Sequence, residues 1–164
     1  MSIIKANAWQ RTNGTVVGTI LQTVSMTTFT AASSTSQSFT DTGLTATITP
    51  FSTSNKIIIM ANFGDTSNQN QGGPAGVKLI LLKNGTAISG GAGQPGGNFA
   101  NQWNYAGAAN EHSITSGSQM YVDSPASTSA LTYKFQFASQ TTGRTAELMR
   151  DNTAGTLILM EVQA

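Results

Sequence analysis

Asn55-Lys56-Ile57-Ile58-Ile59-Met60-Ala61-Asn62-Phe63 decides how this chain is read. Three consecutive isoleucines favour extended backbone, because two heavy atoms on Cβ restrict χ1 and pack well on a pleated surface. A strand with one wet face alternates apolar and polar residues, whereas Ile57, Ile58 and Ile59 put apolar groups on both faces. That pattern predicts a central or interface strand. The last run repeats it: across Thr156–Val162, Ile158, Met160 and Val162 share one face, and Leu157 and Leu159 share the other with Glu161. Both runs need cover on two sides. A sandwich supplies one cover, and a neighbouring subunit supplies the other. Ile57, Ile58, Ile59, Leu157 and Leu159 are therefore the candidate oligomer interface.

Outward from these runs, period-two alternation recurs between Gly, Asn, Asp and Pro, and helical periodicity is absent. Thr15–Met26 carries Val16, Val17, Ile20, Leu21 and Val24, with Gly18 marking a bulge. A Ser/Thr-rich stretch follows, anchored by Phe29 and Phe39. Leu44–Ile48 alternates until Pro50, which cannot donate to a ladder. Val77–Lys83 runs into Asn84-Gly85, a hairpin signal because a type I′ turn needs positive φ at both positions. Ile114–Val122 is less regular. Leu131, Tyr133, Phe135 and Phe137 set an apolar row opposite Thr132, Lys134 and Gln136, and Ala146–Arg150 reaches the final strand through the turn Asp151–Gly155. About eight to ten short strands predict an all-β fold, a two-sheet antiparallel sandwich of jelly-roll type or a barrel. Residues 15–164 form this domain and residues 1–14 an arm, with Ile3, Ile4 and Trp9 available to dock on another protein.

Composition narrows the partners. Charged residues make up 9% of 164, against about 25% in ordinary domains, and the net charge is +1. Lys5, Arg11, Lys56, Lys78, Lys83, Lys134, Arg144 and Arg150 are scattered singly, so no basic patch steers nucleic acid. Cysteine is absent, which removes disulfides, thiol catalysis and thiolate metal sites. No apolar run approaches the roughly 20 residues that cross a bilayer, and the first residues lack a signal-peptide core; the chain reads as soluble, without membrane insertion.

Motifs that elsewhere carry chemistry have plainer explanations here. Asp41-Thr42-Gly43 matches the aspartic-protease triplet, but it occurs once and lacks the apolar pair before the Asp. A turn with Asp bonding its own backbone and Gly43 at positive φ accounts for it. Gly91-Ala92-Gly93-Gln94-Pro95-Gly96 matches GxGxxG without the following helix that would present amides to phosphate. His112 is the only histidine, too few for the usual zinc triad, and the acids do not cluster as in a calcium loop. Asn13-Gly14-Thr15 and Asn84-Gly85-Thr86 fit turns better than glycan acceptors. No enzyme, cofactor or metal is expected. In Asn98–Tyr105, Phe99, Trp103 and Tyr105 alternate with amides, so the rings stack on a sugar while Asn101, Gln102 and Asn104 bond its hydroxyls; the competing explanation places the rings in a core or interface.

Asp41–Pro50 followed by Ser54–Ile59, then Tyr121-Val122-Asp123-Ser124-Pro125 with Thr132–Phe137, and the terminal Thr156–Val162 resemble a family of bacteriophage virion appendage proteins. These are described as tail-fibre or head-fibre-like and are frequent in marine phages. The resemblance covers residues 15–164, and its motifs are structural. It implies a trimeric jelly roll on the virion, assembled in the host cytoplasm, with no catalytic residues. The expected function is a non-enzymatic fibre or appendage protein that contributes to host attachment through a surface glycan bound at Asn101, Gln102, Trp103, Asn104 and Tyr105. A capsid (head) decoration protein and a free-standing lectin domain are the alternatives. The expected partners are two further copies of the chain and, through the arm, other virion proteins.

Overall fold

The computed structural model describes residues 9–10, 16–17, 19–71, 76–89 and 109–164. Their strands are β1 Trp9–Gln10, β2 Val16–Val17, β3 Ile20–Thr28, β4 Ala32–Ser34, β5 Thr40–Ile48, β6 Lys56–Gln71, β7 Val77–Lys83, β8 Thr86–Ala87, β9 Ala109–Asp123, β10 Leu131–Ser139, β11 Thr145–Leu148 and β12 Gly155–Val162. Helical structure among them is limited to a 3₁₀ turn at Arg150–Asn152, and no helix is long and apolar enough to cross a membrane.

All pairings are antiparallel. One sheet runs β5-β10-β7-β8, and the other runs β3-β12-β6-β9, extended by β11 and β4 beyond β12 on the same side of β6. Counting the eight principal strands along the chain, the sheets read 1-8-3-6 and 2-7-4-5, the strand order of a jelly roll. The expected two-sheet antiparallel sandwich is thus the architecture of this protein. The arm at residues 1–14 lies outside the described residues except for Trp9–Gln10, which pair with Val16–Val17 as a separate two-stranded ribbon.

The core lies between the sheets. Leu44, Ile48, Leu79, Leu81, Tyr133, Phe135 and Phe137 face it from one side, and Ile57, Ile59, Phe63, Leu157 and Leu159 from the other. Phe63 and Phe135 meet edge to face with ring centroids 5.1 Å apart. Each fully buried side chain of this size contributes roughly 1.5–3 kcal/mol. This placement corrects the expected oligomer interface. Ile57, Ile59, Leu157 and Leu159 have 0% exposure inside the protomer, so no surface is left for a neighbour. Only Ile58 of the five points outward, because side chains alternate along a strand and the even positions of β12, and of β6 as far as Asn62, face away from the core.

β6 changes partner midway, from β12 up to Asn62 to β11 from Ser67. A bulge at Phe63–Asp65 makes the change, with Gly64 at φ 61° and its N–H donated to Asn62 Oδ1 at 2.8 Å. The β11–β12 connection satisfies the rest, as Met149 N–H donates to the Phe63 carbonyl and Asp65 N–H to Thr153 Oγ1. Asp41-Thr42-Gly43 forms a bulge inside β5 and not a turn. Gly43 has the expected positive φ, but the register against β10 shifts there, and Thr42 Oγ1 donates to the Phe135 carbonyl at 2.9 Å. Asn84-Gly85 turns the β7–β8 hairpin as expected, both residues at positive φ.

Candidate functional site

The register of β3, β12, β6 and β9 fixes which side chains share the outer face of the larger sheet. One row reads Thr23, Met160, Ile58, Val122; the next reads Ser25, Ile158, Met60, Met120; the third reads Thr27, Thr156, Asn62, Ser118. Six apolar side chains thus occupy two adjacent rows across three strands. Met60, Met120 and Val122 are 40, 65 and 52% exposed, and Ile58, Ile158 and Met160 are half-buried by one another. None of these twelve residues carries a charge. Hydroxyl and amide groups border the patch on the side of the third row, and on the other side follows the row Ile20, Val162, Lys56, which extends the apolar surface and ends it with an exposed lysine. Between the second and third rows an open groove of about 490 Å³ is lined by Met60, Asn62, Ser118, Met120, Thr156 and Ile158.

Two buried polar clusters brace this face from behind. Glu161 is the β12 side chain that faces inward beyond Leu159, and it is fully buried. Its carboxylate accepts from Gln22 Nε2 at 2.6 Å, Asn55 Nδ2 at 2.6 Å and the Phe51 amide at 2.8 Å, while Gln22 also donates to the Thr49 carbonyl. Burial pushes this carboxyl up, but the bonds from Asn55, Gln22 and the Phe51 and Ser52 amides together outweigh it and hold the group below its ordinary value. The consequence is a fixed crossing between the sheets at residues 49–55.

The second cluster joins the sheets directly. Asp123, closing β9, accepts from Lys83 Nζ at 2.9 Å and from the Tyr133 hydroxyl at 2.7 Å, and both donors belong to the smaller sheet. Burial, then the Asp123 carboxylate, push the Tyr133 phenol well above its usual range. On the opposite surface Asp41 is held below its ordinary value by bonds from Gln136 and Lys134, an exposed arrangement. No group of three or more potential metal-binding side chains occurs among the described residues. His112 sits on β9 opposite Gln69.

The expected glycan residues Asn101, Gln102, Trp103, Asn104 and Tyr105 lie outside the described residues, as do Ile3 and Ile4 of the arm. Trp9 is placed on β1, opposite Val17. The connection that contains the glycan residues leaves after β8 and returns at Ala109, opposite Gln71 at the end of β6. The residues that sequence reading missed are Met60, Met120 and Val122; the sequence already places Ile158 and Met160 on a face of the last strand that needs cover. Alternation of Met120 and Val122 with Tyr121 and Asp123 was the available signal for β9.

No protein-family model matches this chain, and no curated protein matches it in sequence. Among solved structures, a chain in the structure of infectious bursal disease virus, Gx strain, is similar over 98% of this chain at 12% identity and a TM-score of 0.32. This chain spans 37% of that one, and the face described above stands on its own residues.

Proposed function

We propose that this protein is a non-enzymatic structural component of a bacteriophage virion, a fibre or appendage jelly roll that assembles as a trimer. The observation that carries this reading is the contiguous apolar patch of Ile58, Met60, Met120, Val122, Ile158 and Met160 on the outer face of the larger sheet. A contiguous apolar patch of this kind marks an association surface, and its exposure is relieved when copies pack on it. The resemblance of residues 15–164 to virion appendage proteins supports the setting, and the arm supplies the attachment to other virion proteins. Host contact falls to the amides and aromatic rings at Asn101, Gln102, Trp103, Asn104 and Tyr105, which suit a neutral glycan. Sedimentation equilibrium of the purified chain is expected to give about three protomers, since association covers apolar surface that the folded protomer leaves in water. A folded monomer at micromolar concentration overturns the assembly. A mass spectrum of purified particles in which this chain is missing overturns the virion role.

A further inference from the structure

We infer that the contact between copies is a knob in a groove: Phe29 of one copy seats between Met60, Met120 and Ile158 of the next. This rests on the assembly proposed above. Phe29 leaves the end of β3, an edge of the larger sheet, and is 60% exposed. It stands two residues beyond Thr27, whose row continues through Thr156, Asn62 and Ser118, the far wall of the groove. Knob and groove are therefore at nearly the same level along the strands, Phe29 at the β3 edge and the groove beginning at β12, the next strand in.

That placement suits a closed ring. A contact of one patch with itself stops at a dimer, whereas a ring needs two different patches that meet head to tail. The sheet supplies both, an aromatic ring standing clear at the β3 edge and a concavity across β12, β6 and β9. Their borders also match in chemistry. The groove is rimmed by Asn62, Ser118, Gln119 and Thr156, and Phe29 is flanked by Thr27, Thr28 and Thr30. Neither side carries a charge that docking would strip of water. With 9% charged residues, a second copy of this chain fits such a surface better than an ordinary protein surface of about 25%. The other bare ring among the described residues, Phe51, is 69% exposed but belongs to the crossing before Lys56, beside the Glu161 cluster and away from the groove.

The absence of cysteine makes the test clean. Thr30→Cys combined with Ser118→Cys keeps Phe29 in place and puts one thiol beside the knob and one on the groove wall. A short bis-maleimide is expected to yield covalent trimer from this pair, and little from either single variant or from Thr53→Cys with Ser118→Cys. In parallel, Phe29→Ser should weaken association at least about tenfold, as loss of a central anchor does, with an unchanged β-sheet circular dichroism spectrum. A parent trimer whose Thr30/Ser118 variant gives no covalent product, or no more than the Thr53/Ser118 control, overturns the knob and leaves the assembly standing. A monomeric parent chain overturns both.

Discussion

Glu161 shows how much one residue organises here. A carboxylate without exposure is tolerable only when hydrogen bonds replace its hydration, and Asn55, Gln22 and the Phe51 amide do so. Because its folded value lies below the unfolded one, the stabilisation is complete above the unfolded carboxyl range of about 4.3 and is lost as pH falls through the folded value. Melting temperature should therefore drop steeply on acidification below about pH 4. Glu161→Gln keeps the shape but turns an amide N–H₂ toward donors, so it should cost about 1–3 kcal/mol at neutral pH and flatten the acid limb of a melting curve series. A variant as stable as the parent at pH 7 contradicts this account. At Asp123, Tyr133→Phe removes one of the two bonds that tie the sheets, and urea unfolding should show a loss of about 0.5–2 kcal/mol.

Within β6, neighbouring residues have opposite duties. Ile59 is wholly inside the sandwich, and Met60 is on the outer face, 40% exposed. Ile59→Ala should lower the stability of the protomer by about 2–5 kcal/mol, since it removes buried methyl groups and leaves a cavity. Met60→Asn should change the stability of the isolated protomer by less than about 0.5 kcal/mol while shifting the sedimentation profile toward lower mass. Equal effects of the two substitutions on unfolding and on association would contradict the division of faces. The bulge in the same strand sets a second constraint: a Cβ at Gly64 meets Thr153 Oγ1 at 2.6 Å and carries a φ of 61°. Gly64→Ala thus disturbs the point where β6 exchanges β12 for β11.

Across the whole molecule, the jelly roll separates jobs by location. In the proposed function the outer face of one sheet carries assembly, and the proposed glycan residues belong to the connection that returns at Ala109. Deletion of Met1–Asn13 should leave the trimer folded and prevent incorporation into particles, measured by sedimentation and by particle composition. Loss of folding would make the arm part of the core. Trp103→Ala should reduce adsorption to host cells with a nearly unchanged melting temperature; a large fall in melting temperature returns Trp103 to the packing, and unchanged adsorption favours a head decoration role.

The sequence by itself determined the class of fold and the pleat of most strands, though β6 runs on past Phe63 to Gln71 and β9 starts at Ala109, before Ile114. Period-two alternation is a local property, so Ile58 had to share a face with Met60, and Leu157 with Leu159 and Glu161, whatever surrounded them. It also settled the Asn84-Gly85 hairpin, because positive φ is a demand on two residues alone. Only the tertiary structure decided which of two apolar faces looks inward. Ile57–Ile59 is apolar on both sides, so periodicity cannot choose; the choice belongs to Phe135, Leu81 and the other side chains that meet it from the second sheet. The same holds for Glu161, whose donors Asn55, Phe51 and Gln22 lie 106, 110 and 139 residues away in the chain. Contacts that close such long loops are written in no local pattern, and they are what turned the expected interface at Ile57, Ile59, Leu157 and Leu159 into core and left the face of Met60, Met120 and Met160 on the outside.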